Sequence, residues 1–313
     1  MHLFFEAMFF QPQWYHYIVM VLLFPLSIAY GSVMFLRRFF VKKSHFSTPI
    51  VSVGNLQVGG SGKTPFVVAL ASRYEEVTVI SRGYGRTSSG MVEVSHKGKI
   101  VVDVKQSGDE AMLMALSLPH ASVIVSEDRK IAIEQAMRAG AKLIVLDDGF
   151  NRVDIKKFEI LLEPACMPNV LPFPAGPLRE FYFTKRYADY VAQEERDFKR
   201  LVTFENLSEK MLLVTAISNP SRMEKYLPTG VVSKIFLEDH AYFDEEVLKK
   251  EMAIYGATSL LVTQKDAVKM KGFKLPLSLM KLELEIDEAL FTSVNKYINR
   301  GLVNFKSQIK TSE

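Results

Sequence analysis

The run Gln57-Val58-Gly59-Gly60-Ser61-Gly62-Lys63-Thr64 constrains this chain more than any other stretch. A β-branched apolar segment, Pro49-Ile50-Val51-Ser52-Val53, precedes it, and Phe66-Val67-Val68-Ala69-Leu70, helix-like, follows. Strand, glycine loop and helix in that order form a cradle for nucleotide phosphates. Glycines let backbone N–H groups face phosphate oxygens with no Cβ in the way. The expected contacts run from Val58, Gly59, Gly60, Ser61 and Gly62 to the nucleotide phosphates, with Lys63 on the β- and γ-phosphates and the Thr64 hydroxyl on Mg²⁺. Pro65 suits a first helical turn, where its missing N–H is not needed. One position departs from the pattern: Gln57 stands where the usual loop begins with glycine.

A second acidic feature belongs with such a loop. Leu143-Ile144-Val145-Leu146-Asp147-Asp148 is an apolar strand ending in two carboxylates, beside the phosphates in a P-loop fold and able to hold Mg²⁺. Adjacent strand residues point to opposite faces, so Asp147 and Asp148 share a task only if the strand ends between them.

From residue 48 onward, short apolar runs alternate with helical stretches, the pattern of parallel βαβ units. Strands are expected at Ile50–Val53, Val77–Ser81, Ser122–Ser126, Lys142–Leu146 and Phe158–Leu162, and helices at Ala111–Leu118 and Arg129–Ala139. Val92–Val94 and Ile100–Val104 read as a hairpin insertion about His96-Lys97-Gly98-Lys99. Prolines at 164, 168, 172, 174 and 177 make that stretch an irregular loop. A second α/β block starts at Met211–Thr215. The expected organisation is an apolar helix over 1–45, a P-loop domain over 46–205 with a parallel sheet, and a smaller C-terminal α/β domain over 206–313.

The N-terminus sets the apolar balance. No Asp, Glu, Lys or Arg stands between Glu6 and Arg37, and Trp14 to Leu36 is long enough to cross a bilayer as a helix. It lacks the basic start and cleavage site of a signal peptide. Gln13, His16, Ser27, Tyr30 and Gly31 fall within about 100° of one another on a helix, a weak polar stripe. Hydropathy favours a spanning helix; the stripe and Pro25 favour one lying in the interface. Arg37, Arg38, Lys42 and Lys43 follow, suited to lipid phosphates. A net charge of +4, dispersed, gives no case for nucleic acid, and the single Cys166 excludes an internal disulfide and cysteine-type zinc sites.

Several motifs gain meaning from their order along the chain. Val51-Ser52-Val53-Gly54-Asn55-Leu56 leads into the loop, followed by Ser81-Arg82-Gly83-Tyr84-Gly85-Arg86, Gly108-Asp109-Glu110 and Ser126-Glu127-Asp128-Arg129. Leu146-Asp147-Asp148-Gly149-Phe150, Pro174-Ala175-Gly176-Pro177-Leu178-Arg179-Glu180, Asp239-His240 and Thr263-Gln264-Lys265-Asp266 complete the series. Taken singly, Gly108-Asp109-Glu110 complements a helix dipole, and Ser126 to Arg129 is a helix cap with local ion pairs. Together they resemble the tetraacyldisaccharide 4'-kinase family, the lipid A kinases of Gram-negative bacteria.

That resemblance implies transfer of the ATP γ-phosphate, with Mg²⁺, to the 4'-hydroxyl of an acylated glucosamine disaccharide 1-phosphate at the cytoplasmic face of the inner membrane. It implies Asp109 as base with His240, Lys63 on the phosphates, and metal ligation by Thr64, Asp147, Asp148 and Glu180. Arg82, Tyr84, Arg129 and Arg179 are implied substrate contacts. Asn151-Arg152 stand where the family usually carries Gln-His, so any role of that histidine is absent or filled otherwise. A nucleotide-hydrolysing switch or a bare nucleotide-binding module would share the loop. Neither needs Asp109, His240 or the Arg82-Gly83-Tyr84 segment.

Overall fold

The computed structural model describes residues 2–59, 62–218 and 220–310. Helices α1 (His2–Phe10) and α2 (Trp14–Phe40) precede strand β1 (Ile50–Asn55), and α3 (Lys63–Ala71) follows the glycine loop. The chain continues through β2 (Val77–Ser81), β3 (Val92–His96), β4 (Lys99–Ile100), α4 (Val104–Ser107), α5 (Asp109–Ser117), β5 (Ser122–Val125), α6 (Arg129–Arg138) and β6 (Leu143–Asp147). After β7 (Phe158–Glu163), β8 (Tyr190–Gln193) and β9 (Phe198–Glu205) come β10 (Met211–Thr215), β11 (Val231–Phe236), α7 (Glu245–Tyr255) and β12 (Ser259–Thr263). Helix α8 (Gln264–Ala267), β13 (Leu277–Ile286) and α9 (Glu288–Lys310) end the chain. By packing, the residues group into two compact units: Met1–Lys63 with Ala136–Lys199 and Ile286–Glu313, and Thr64–Gln135 with Arg200–Glu285.

In the first unit β1 pairs in parallel with β6 on one side and β7 on the other, and β8 pairs in parallel with β7. Every residue of β1 and β6 is buried, as parallel strands covered on both faces require. Gly54 permits a close approach here: a Cβ on it would lie 2.5 Å from the Phe150 Cβ. That space brings the loop after β6 against the strand leading to the phosphate loop.

Helix α2 is inverted relative to a helix of a water-soluble core. Its buried residues are His16, Met20, Ser27 and Gly31, so the weak polar stripe faces the protein. Trp14 (76% exposed), Leu22 (73%) and Val33 (67%) point away. The helix is long and apolar enough to cross a membrane. Arg37 and Arg38 do not extend toward lipid as expected. The Arg37 Nη2 donates to the Asn151 carbonyl at 2.7 Å, and Arg38 pairs with Glu180. A fully buried carboxylate draws in a cation, because leaving it unpaired costs more than a surface contact gains. Lys42 and Lys43 remain exposed.

In the second unit β2 and β5 are parallel, β3 runs antiparallel to β5, and β4 pairs with β3 about the turn at Lys97–Gly98. The second strand of this hairpin stops at Ile100, short of the expected Val104. Asp103 ends it by capping α4, its Oδ1 accepting from the Gln106 N–H at 2.9 Å. A further five-stranded sheet has the order β11-β10-β12-β13-β9. Alternation along β10 sends Leu212 and Val214 to one core, with Leu248 and Met252 of α7, and Met211 and Leu213 to the other, with Met280. This second sheet is a sheet domain at the C-terminus.

Candidate active site

The first unit carries the phosphate-loop cluster. Lys63 opens α3, and its Nζ donates to Asn55 Oδ1 at 3.0 Å and lies 3.5 Å from Asp148 Oδ1. The Arg179 Nη1 donates to both Asp148 oxygens, at 2.9 and 2.8 Å. Strand β6 ends at Asp147, and Asp148 takes φ +53°, so the two carboxylates leave the strand alternation. Asp147 is buried and Asp148 half-buried. Burial pushes the Asp148 carboxyl up, but Lys63 and Arg179 outweigh it and hold it below the ordinary carboxylate range.

Within the loop Val58 N–H donates to the Pro177 carbonyl at 2.9 Å, and Gly59 and Gly62 adopt φ +90° and +78°. Thr64 is half-buried in the first turn of α3. Gly60 and Ser61 lie outside the described residues. Gln57 pairs as an antiparallel bridge with Leu178 and is not among the residues of positive φ. Its extended backbone needs no glycine, which accounts for the departure from the usual loop.

Glu180, with no exposed surface, accepts one hydrogen bond on Oε2, from Arg38 Nε at 2.8 Å, and Arg38 Nη2 lies at ion-pair distance from the same oxygen, 2.7 Å. Its Oε1 accepts no hydrogen bond. Arg152, standing in place of the family histidine, forms a bidentate pair with Asp154 at 3.0–3.1 Å.

The second unit carries an acid–base pair. Asp109, 5% exposed, is the first residue of α5, ahead of the apolar run. Gly108 sets it there with φ +84°, where a Cβ would sit 2.8 Å from the Tyr84 carbonyl oxygen. His240 Nδ1 lies 3.0 Å from each Asp109 oxygen. His240 itself has φ +64°; its N–H donates to the Ala216 carbonyl at 3.1 Å and its ring lies 5.1 Å from that of Tyr84.

Two lysines complete this cluster, Lys265 at 3.8 Å and Lys269 at 3.7 Å from Asp109 Oδ2. Lys265 also meets Glu110 at 3.3 Å and Asp239 at 3.5 Å. Lys269, nearly fully buried, donates to the Ala241 carbonyl at 3.0 Å and pairs with Asp266 at 3.3 Å. Asp266 in turn accepts from the Thr215 and Thr263 hydroxyls at 2.6 and 2.7 Å. Burial raises the Asp109 carboxyl, but His240 and the two lysines together hold it below its ordinary value. The bond to Asp109 raises His240 above its ordinary value, against burial and Lys265.

The other expected substrate contacts separate by environment. Arg82 and Tyr84 are exposed, whereas Arg129 is 3% exposed and its Nη1 donates to the Ser126 carbonyl at 2.5 Å. Sequence reasoning missed Lys269. Its signal was the helical i+4 spacing from Lys265 in a motif already singled out.

A glycine loop between a buried parallel strand and a helix, with its lysine paired to the strand-end carboxylate, defines an α/β protein of the P-loop class. Comparison then gives the family: the profile of LpxK, tetraacyldisaccharide-1-P 4'-kinase, matches residues 19–299. The chain belongs to that family. The tetraacyldisaccharide 4'-kinase of Helicobacter acinonychis (strain Sheeba) is 46% identical over 308 residues, 98% of each chain. That of Aliarcobacter butzleri (strain RM4018) is 46% identical over 307 residues, 95% of this chain and 98% of its own. The crystal structure of an apo form of LpxK from Aquifex aeolicus in complex with ATP is similar with a TM-score of 0.76 and 28% identity, covering 90% of this chain and 99% of that one.

Proposed function

We infer that this protein is an ATP-dependent kinase of lipid A biosynthesis, transferring the γ-phosphate of ATP to the 4'-hydroxyl of tetraacyldisaccharide 1-phosphate. Phosphoryl transfer demands little covalent chemistry from a protein; positioning and charge neutralisation supply most of the rate. In this reading Lys63 and the N–H groups of the glycine loop after Val58, whose own N–H is taken by the Pro177 carbonyl, hold the ATP phosphates, and Arg179 keeps Asp148 in place beside Lys63. The single observation that carries the acceptor side is the buried Asp109 carboxylate, 3.0 Å through both oxygens from His240 Nδ1. Asp109 receives the proton of the attacking hydroxyl, and His240 orients it or takes the proton onward. Arg82, Tyr84, Arg129 and Arg179 are the candidate contacts to the sugar and phosphates.

Mg²⁺ suits this donor set. Thr64, Asp147, Asp148 and Glu180 offer only oxygen, and the fully buried Glu180 Oε1 is left without a hydrogen bond. Among the described residues no three carboxylates or histidines are grouped to hold a metal, so Asp147, Asp148 and Glu180 do not form a single ligand set; one or two of them, with substrate phosphates, would hold the cation. Bound there, Mg²⁺ would offset charge on the β- and γ-oxygens. The exposed apolar side of α2 is the surface offered to the lipid of the inner membrane's cytoplasmic face, where a four-chain acceptor stays embedded.

Incubation with γ-labelled ATP and the purified acceptor tests the reading. Label is expected on the lipid, and ATP turnover is expected to depend on acceptor. Steady acceptor-independent hydrolysis with no labelled lipid would instead identify a switch.

A further inference from the structure

The segment from Phe173 to Phe181 lies between the long apolar helix and the phosphate loop, with polar and packing contacts on both sides. Toward the helix, Ala175 N–H donates to Ser27 Oγ at 2.8 Å, and the Phe173 ring lies 5.9 Å from that of Tyr30. The Phe181 ring fills the space over Gly31, where a Cβ would be 2.8 Å from it. Arg38 hydrogen-bonds Glu180 through Nε, with Nη2 at ion-pair distance from the same oxygen, and lies 4.6 Å from the centre of the Phe150 ring, two residues beyond Asp148. Toward the loop, Pro177 accepts from Val58 N–H, Leu178 bridges Gln57, and Arg179 N–H donates to the Leu56 carbonyl at 2.8 Å. The Arg179 side chain then ends on Asp148, the partner of Lys63.

The polar positions of α2 therefore have an occupant: Ser27, Tyr30 and Gly31 all meet one segment, which is itself paired to the phosphate loop. A helix serving only as an anchor has no need of a buried Arg38–Glu180 pair at its end. Such a pair adds little net stability over apolar packing, while removal of one partner leaves a buried charge. We propose that residues 173–181 relay the seating of helix α2 to the phosphate loop, and that Arg38 is a positioning residue for bound ATP. The inference rests on reading Lys63 and Asp148 as the phosphate site.

The test is ATP binding by the full-length protein in detergent, with and without Mg²⁺, alongside thermal melting. Arg38→Met is expected to remain folded and to raise the Kd for MgATP roughly 10- to 100-fold, the usual cost of removing an outer partner of a metal ligand. Arg38→Lys, which restores a cation on Glu180 Oε2, is expected to recover most of the affinity. That recovery is unexpected if the helix end matters only for lipid. Gly31→Ala keeps the ion pair and displaces Phe181; it is expected to weaken ATP binding about threefold or more through misplacement of the segment. If Arg38→Met fails to fold, Gly31→Ala decides alone. Folded variants that bind MgATP as the wild type does would overturn the relay. Failure of the wild type to bind ATP at all would overturn the phosphate-site reading itself, and the relay with it.

Discussion

Asp148 and Asp109 are both carboxylates kept ionised inside the protein, and each has a different set of cations doing it. Asp148 relies on Lys63 and Arg179, Asp109 on His240, Lys265 and Lys269. The signs give testable pH windows. The folded Asp148 value is depressed, so its pairing contributes stability above an unfolded pKa of about 3.9. That contribution is lost as pH falls through the lower folded value. His240 is raised, so its pairing with Asp109 is fully stabilising below about pH 6.5 and fades as pH rises through the higher folded value. An NMR titration should find His240 deprotonating above 6.5 in the wild type and closer to 6.5 in Asp109→Asn; an unshifted wild-type histidine would refute the pair. Lys63, Asp109 and His240 were legible in the sequence because each sits in a short motif. Arg38 was misjudged, because its partner Glu180 is 142 residues away and no local pattern encodes that pairing.

At the scale of elements, composition and alternation located the strands well. β2 coincides with its expected span, β1, β5 and β7 differ by one or two residues at one end, and β6 is shifted by one residue at both ends. What the pattern did not reveal was where capping chemistry cuts an element short. Asp103 starts α4 inside the expected hairpin, whereas Gly108-Asp109-Glu110 opens α5 as its helix-dipole reading expected, ahead of the apolar run. Gly108→Ala should therefore cost roughly 1–3 kcal/mol of backbone strain, and more if the Tyr84 carbonyl cannot yield. Thermal melting checks that; a neutral substitution would contradict the geometry. For α2, the sequence showed a polar stripe, and the fold assigns that stripe to the protein side. Replacing Leu22, Leu26 and Val33, all exposed, with serine should abolish cosedimentation with anionic vesicles, since each apolar side chain entering lipid contributes roughly 1.5–3 kcal/mol. Melting temperature should be little changed. Undiminished vesicle binding would remove α2 from the lipid surface.

Across the whole molecule, the family assignment rests on motifs spread over nearly the full chain, and that spread made it legible before any fold was known. A bare glycine loop would have left kinase, switch and binding module equally open. The order of Arg82-Gly83-Tyr84, Asp109, the double aspartate and His240 narrows the choice. The proposal that follows divides the labour: Lys63 and Asp148 serve the phosphate donor, and Asp109 with His240 serves the acceptor hydroxyl.

That division is tested most directly by transfer of label from γ-labelled ATP to tetraacyldisaccharide 1-phosphate, comparing wild type with Asp109→Ala at saturating ATP. The account expects labelled lipid from the wild type, a fall of about 10²–10⁴-fold in kcat for the variant, and an unchanged KM for ATP. An Asp109→Ala protein that is folded and transfers phosphate at the wild-type rate would contradict it.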